Sequence, residues 1–273
     1  MKLSNVKLIV SDMDGTLLNS KEEVSDLFFQ QFNQLQKLGI HFVAASGRQY
    51  HSIAQKLKPI KDQITIVGEN GGVIKQEDQT LLLQTLDSQK VIEIIPYLRK
   101  IKDAFIILCG EYKAFIESED EFFIEMFQEY YSSYEIVKDL TKIPNQTPIL
   151  KIALYHPQSS EQFISPYIQE FKNSFLLKIS GKNWLDLSNQ NSNKGTAIHF
   201  LQQKMKIKPD QTMVFGDYLN DLEMLDLAYF SYAMKNAHED VKKRARFETS
   251  TNDDLGIEKI IDQVLKVNSM SNK

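Results

Sequence analysis

Asp12 and Asp14 stand two residues apart at the end of an apolar run, in the string Asp12-Met13-Asp14-Gly15-Thr16. Carboxylates that close repel each other unless a cation or a shared proton lies between them. The pair therefore reads as a divalent-metal site, as a nucleophile beside an acid/base, or as both. Residues two apart on a strand share a face, so both carboxylates are expected to point the same way. Gly15 and Thr16 supply a tight turn whose backbone N–H groups can face an anion.

A solvated acidic loop is the common explanation of such a pair taken alone. Three further strings change its weight. Ser46-Gly47-Arg48 follows a second apolar run; a hydroxyl and backbone amides there can hold a phosphate oxygen, although a turn serine is the ordinary explanation. Lys194 opens an expected helix behind Asn193, a good N-cap. An ammonium at that end opposes the helix dipole unless an anion compensates it. Gly216-Asp217-Tyr218-Leu219-Asn220-Asp221 places more carboxylates after a third apolar run, where an acidic turn capping the next helix is the simpler alternative.

The elements that must position these residues follow from periodicity. Residues 6–10 read as a strand buried on both faces. Val24, Leu27, Phe28, Phe32, Leu35 and Leu38 then mark one face of a helix, with Gly39 as its stop. A strand over 40–45, a helix over 49–57 and a strand over 64–68 continue the alternation, which predicts a parallel sheet. From about residue 86 the pattern changes. A helix with Val91, Ile94, Ile95, Leu98 and Ile101 precedes strands over 104–109 and 113–117, adjacent and so expected to pair antiparallel. Helices near 120–131 and 161–171 and strands over 149–155, 175–179 and 184–187 complete a mixed block. A helix over 194–205 and a strand over 212–215 resume the first pattern, and residues 267–273 are expected to fray. The fold class is α/β, a doubly wound, Rossmann-like parallel-sheet core with an inserted α+β domain. The core takes residues 1–85 and 186–273, the insert 86–185.

Composition narrows the function classes. In 273 residues, 42% are hydrophobic and 25% charged, which excludes disorder and a membrane protein. A net charge of −4 argues against a nucleic-acid partner, whose phosphates demand clustered cations. Cys109 is the only cysteine, so no intrachain disulfide forms, and it reads as a strand core residue. Residues 1–10 carry no secretory signal pattern, and a cytoplasmic setting is expected. The five histidines lack helical metal-pair spacing. Phe122, Phe123, Phe127, Tyr130 and Tyr131 read as a helix packing face, and Trp184 as a core or hinge-packing residue in or beside the linker that returns to the core, with contact to a bound ligand the lesser alternative for both.

Together the four strings resemble the haloacid dehalogenase superfamily of phosphotransferases, in the order D-x-D-G-T-L-L, A-S-G-R, N-K-G-T-A and G-D-x-x-N-D. The insert resembles the large α/β cap, type IIB, of the Cof-type phosphatase branch. Smaller echoes of that branch are Glu69-Asn70-Gly71-Gly72, Ala233-Met234-Lys235-Asn236-Ala237 and Thr251 to Gly256. Asn189 and Asn191 depart from the Pro and Gly often found before the lysine, and Lys235 stands where Gly is usual.

The resemblance implies that Asp12 is the nucleophile toward phosphorus and Asp14 the acid/base. Ser46, Gly47 and Lys194 would hold the phosphoryl oxygens. Mg2+ would be held by Asp12, the Asp14 backbone carbonyl and Asp217, with Asn220 and Asp221 in support. The function implied is a magnesium-dependent phosphatase of small phosphorylated metabolites, sugar phosphates above all. Its partner is a small-molecule phosphorylated substrate, with no nucleic acid, no membrane and an oligomeric state the sequence leaves open. The alternatives are a hexose phosphomutase and a non-catalytic phosphosugar sensor; a sensor has no use for the acid/base Asp14.

Overall fold

The computed structural model describes residues 2–77, 79–131 and 133–271. The opening apolar runs become β1 (Leu8–Asp12), β2 (His41–Ala45) and β3 (Thr65–Gly68), followed by a hairpin, β4 (Val73–Gln76) and β5 (Gln79–Leu83), that the sequence pattern did not announce. A second set follows: β6 (Phe105–Gly110), β7 (Ala114–Ile116), β8 (Tyr134–Ile136), β9 (Ile149–Tyr155), β10 (Leu176–Ile179) and β11 (Trp184–Ser188). The chain then returns with β12 (Thr212–Gly216), β13 (Phe230–Ala233) and β14 (Phe247–Glu248).

Strands of the first and last sets form one eight-stranded sheet, in the order β14-β13-β12-β1-β2-β3-β4-β5. Pairing is parallel from β14 to β3 and antiparallel at β4 and β5. β1 lies between β2 and β12, so the strand order reverses beside it, the position where open α/β sheets bind ligands. β1, β3 and β12 are buried along their whole length, as strands covered on both faces must be. The helix Asp26–Lys37 seals one face with Phe28 and Phe32, whose rings meet Phe42 at 5.0 and 6.4 Å.

The middle set forms a separate six-stranded sheet, in the order β10-β11-β9-β6-β7-β8. β6 and β7 pair antiparallel, as expected from their adjacency, whereas β7 and β8 pair parallel. One face buries the helix Ser88–Leu98 through Val91, Ile94, Ile95 and Leu98. The other buries Phe123 and Phe127 of the helix Glu121–Gln128 against Ile107, Cys109 and Ala153. Phe122, read as part of that packing face, is exposed instead. Cys109 is fully buried, and burial pushes its thiol well above the ordinary range.

Two expectations fail at proline and at the C-terminus. Residues 161–171 do not form one helix. They break into Ser160–Phe163, Ser165–Ile168 and a 3-10 turn over Gln169–Asn173, because Pro166 cannot donate a backbone hydrogen bond and restricts Ser165 before it. Residues 267–271, expected to fray, continue the helix Gly256–Ser271, which Ile257, Ile260, Ile261 and Val264 anchor to the core. Residues 272 and 273 lie outside the described residues.

The helix Lys194–Met205 is placed by contact with the turn after β3. Gly71 has φ +100°, and a Cβ there would lie 2.4 Å from the Asn193 carbonyl oxygen. Asn193 Oδ1 accepts from Thr196 N at 2.7 Å and caps that helix. Gly39 also has positive φ, +69°, but open space around it. Gly39→Ala is expected to cost only the backbone strain, about 1–2 kcal/mol, and Gly71→Ala clearly more, because backbone must move. Equal losses of the two variants in urea unfolding would contradict this close approach.

Candidate active site

The structure brings the residues of the four strings together at the carboxyl ends of β1, β2 and β12. Asp12 is the last residue of β1 and only 5% exposed. Asp14 lies beyond the strand, in the turn Met13–Leu17, so strand alternation does not set its direction; the turn does. That turn is tied down by residues far along the chain. Asn236 Nδ2 donates to the Gly15 carbonyl at 2.8 Å, Asn252 Nδ2 to the Leu18 carbonyl at 2.8 Å, and Ser20 N to Asp253 Oδ1 at 2.7 Å. The two late echoes of the branch thus hold the first motif. Lys235 is exposed and does not obstruct its loop. Asn189 donates to the Thr85 carbonyl at 2.9 Å, joining the two crossings between the sheets, and has no positive φ.

Lys194 is completely buried, and its Nζ donates to Asp12 Oδ1 and, at 2.6 Å, to Asp221 Oδ1. The same anions answer the dipole conflict at this helix start. Asp221 Oδ2 accepts from Asp217 N at 2.9 Å and Tyr218 N at 3.1 Å, so Asp221 fixes the loop as well as the lysine. Thr16 Oγ1 donates to Asp217 Oδ1 at 2.9 Å. Asn220 Nδ2 reaches Asn70 Oδ1 at 3.1 Å. Ser46 is 1% exposed, and its hydroxyl accepts from Arg48 N at 3.1 Å.

Carboxyl oxygens of Asp12, Asp217 and Asp221 lie within 4.8 Å of one another. Burial, then the neighbouring carboxylates against the pull of Lys194, raises Asp12 well above the carboxylate range. Burial and Asp221 push Asp217 up to about 6. Against the lowering effect of burial, Asp12 and Asp221 keep Lys194 charged. Hard oxygen donors with more negative charge than one lysine offsets fit a divalent ion of the magnesium or calcium kind.

Sequence reasoning quoted Arg48 but gave it no part in the site. Its guanidinium is buried and grips the half-exposed Asp14 carboxylate, with Nε 3.0 and 2.9 Å from the two oxygens and a terminal nitrogen 2.6 Å from Oδ1. Glu22 takes a second contact at 3.2 Å. Such bidentate pairs fix orientation as well as charge.

Asp12, Asp14, Gly47, Arg48, Asn70, Asp217 and Asn220 face a cleft of about 510 Å³. Its opposite wall comes from the second sheet and includes Tyr130, Tyr131, Lys151, Lys182, Trp184 and Asp186. Trp184 is the first residue of β11, in line with the strand expected over 184–187, and lines the cleft, the lesser of its two expected roles. Tyr130 leaves the helix packing face for this wall, its ring 5.3 Å from that of Trp184, whereas Tyr131 stays buried and stacked on Phe127 at 4.7 Å while bordering the cleft. Lys151 and Asp186 had a signal in the sequence: each interrupts an otherwise apolar strand.

The comparisons with known proteins agree with this geometry. A sequence profile of haloacid dehalogenase-like hydrolases matches residues 9–261. The chain belongs to that family. This hydrolase is 29% identical over 265 residues to the 5-amino-6-(5-phospho-D-ribitylamino)uracil phosphatase of Escherichia coli, covering 96% of this chain and 97% of the relative. It is 24% identical to a phosphatase of Bacillus subtilis, covering 95% and 100%. A crystal structure of a Streptococcus mutans protein, 32% identical, superposes with a TM-score of 0.87 over 96% of this chain and 99% of that one. A haloacid dehalogenase-like hydrolase from Bacteroides thetaiotaomicron, 25% identical, gives 0.84 over 95% and 99%. The enzyme class is that of a phosphoric monoester hydrolase. No helix among the described residues is long and apolar enough to cross a membrane.

In the hydrolase stripped of divalent ions, Lys194 is the cation that Asp12 and Asp221 share. Lys194→Met is expected to cost roughly 3–5 kcal/mol of unfolding free energy, the penalty for stranding buried charges. A loss under about 1 kcal/mol in urea unfolding of metal-free protein would show that the two carboxylates do not depend on it.

Proposed function

We propose that the hydrolase is a magnesium-dependent phosphatase of small phosphorylated metabolites, sugar and sugar-alcohol phosphates foremost, acting through an aspartyl phosphate on Asp12. The observation that carries this reading is the buried Asp12–Lys194–Asp221 group beside Asp217, opening on a cleft walled by the second sheet. The E. coli relative, whose name specifies a phosphorylated ribityl chain, supports the substrate class.

Asp12 attacks phosphorus and displaces the ester oxygen, which takes a proton from Asp14 as it leaves. Asp14 then removes a proton from the water that cleaves the aspartyl phosphate and regenerates Asp12. Ser46, the Gly47 backbone and Lys194 hold the phosphoryl oxygens and offset their charge. Asp12, the Asp14 carbonyl and Asp217 would hold Mg2+, with Asn220 and Asp221 in support, and the bound ion would supply positive charge at a site where Asp12, Asp14, Asp217 and Asp221 outweigh Lys194 and Arg48. Arg48 positions Asp14 and keeps its carboxylate at the mouth of the cleft. Residues 86–185 act as the cap, covering the cleft and excluding water during the first step.

Hydrolysis is favoured over mutase transfer by the cations on the cap. Arg99, the only arginine between residues 86 and 185, is committed to Glu117 and, at 2.8 Å, to Asp139, and does not face the cleft. A bisphosphorylated intermediate calls for several bidentate cations there.

The deciding experiment follows phosphate release from a panel of phosphorylated metabolites, with Mg2+ or a chelator, in oxygen-18 water. Phosphate carrying solvent oxygen, and only with Mg2+, is the expected product; isomerised sugar phosphate appearing faster than free phosphate would identify a mutase. Asp12→Asn should keep the fold and lose turnover by at least about a thousandfold, because an amide is a poor nucleophile. Asp14→Asn should hurt alkyl phosphates far more than an activated aryl phosphate, whose leaving group needs no proton. Equal losses on both would remove Asp14 from the leaving-group step.

A further inference from the structure

Lys151 on β9 and Asp186 on β11 are charged side chains placed on a sheet face that is otherwise apolar and aromatic. The strand register pairs Asp186 with Ala153 and Trp184 with Tyr155, and Lys151 with Cys109 and Ser188, so all of these stand on one side of the sheet. Lys151 and Asp186 are each 4% exposed, yet both line the cleft that holds Asp12. Burying charge in a sheet face is costly, and replacing such groups by apolar ones is often neutral or stabilising. Their retention there calls for a use.

The arrangement around them is incomplete. Lys151 Nζ lies 2.7 Å from Glu69 Oε2, 3.3 Å from Asp186 Oδ2 and 3.3 Å from the Gly47 carbonyl. Glu69 is 2% exposed, and its Oε1 has no hydrogen-bond partner. Two carboxylates thus share one ammonium. Gly47 belongs to the loop proposed to hold the phosphoryl group, so Lys151 lies within one hydrogen bond of that loop. Lys151 and Asp186 line the same cleft as Asp12, in which a leaving alcohol would lie. An ammonium and a carboxylate side by side form a donor–acceptor pair, the complement of a hydroxyl, which both accepts and donates.

We infer that Lys151 and Asp186 form a subsite that reads a free hydroxyl of the leaving alcohol close to its ester carbon, with Glu69 holding Lys151 in place. This rests on the phosphatase reading. It assigns discrimination to a pair of charged groups rather than to the aromatic wall of Tyr130 and Trp184. A substrate hydroxyl donates to Asp186 and accepts from Lys151, whose ammonium gives up its 3.3 Å contact with Asp186 to receive it. An ester without that hydroxyl leaves Asp186 with only its 3.3 Å contact to Lys151, the kind of imperfect pairing by which polar sites reject apolar analogues.

The test measures kcat/KM with Mg2+ for D-ribitol 5-phosphate and n-pentyl phosphate, which share chain length and ester position, and for p-nitrophenyl phosphate. Wild-type enzyme is expected to favour the ribitol ester over the pentyl ester by about tenfold or more, the weight of one hydrogen bond to a charged group. Asp186→Asn should lose more on the ribitol ester than on the pentyl ester, compressing that ratio to within about threefold. The wild-type comparison needs no variant, so a misfolded Asp186→Asn does not spare the inference. A wild-type ratio near one, or an equal loss on both esters in the variant, overturns the subsite while aryl phosphate hydrolysis still upholds the phosphatase. No phosphate from any of the three esters overturns the phosphatase reading, and the subsite with it.

Discussion

Everything at the catalytic end of this hydrolase is arranged around a charge conflict. Asp12, Asp217 and Asp221 are packed within ligand distance of one another in a setting where water cannot screen them, and the fully buried Lys194 is the cation threaded among them. Burial first, and the crowding of carboxylates after it, disfavours ionisation, which is why Asp12 and Asp217 sit above their ordinary range. The conflict persists because tertiary structure holds each member independently. The ends of β1 and β12 fix Asp12 and Asp217, two backbone N–H groups fix Asp221, and a capped helix start fixes Lys194. A site with surplus negative charge and hard oxygen donors is poised for a divalent cation, and through it for an anionic substrate.

The second constraint is geometric. A parallel sheet gathers the ends of β1, β2 and β12 on one edge, and the reversal of strand order at β1 leaves a crevice there. That edge is open on its own. The six-stranded sheet supplies the other wall, with an aromatic group about Trp184 and a charged group about Lys151. The two walls of the cleft are thereby carried by different sheets.

Arg48 links the two. It is buried beneath Asp14, grips that carboxylate with two nitrogens, and lies 6.0 Å from the Tyr130 ring of the opposite wall. The Asp14 carboxylate is held in a defined place by a guanidinium that stays protonated, since Asp14 and Glu22 raise it further against the lowering effect of burial.

Much of this was legible in the sequence, because strand alternation, helix periodicity and the four polar strings are local properties. Asp12, Asp14, Ser46, Asp217, Asn220 and Asp221 could be named from strings that end apolar runs, Lys194 from its place at a helix start, and the mixed block from its change of period. What local pattern cannot carry is partnership between distant residues. That Arg48 clamps Asp14, that Asn236 and Asn252 tie down the first turn, and that Tyr130, Trp184, Lys151 and Asp186 face Asp12 across a cleft are matters of three-dimensional placement. Periodicity reads the Tyr130 position as helix face because it counts spacing and not where a helix stops; this one ends at Gln128, and Tyr131 keeps its packing on Phe127 from beyond that end. Pro166 and the anchored last helix show the same limit, since one covalent ring or a row of buried isoleucines overrides the local trend. Sequence determined which groups could do chemistry. Tertiary structure decided which of them share a charge, because Coulomb and hydrogen-bond energies depend on distances that only the closed fold sets.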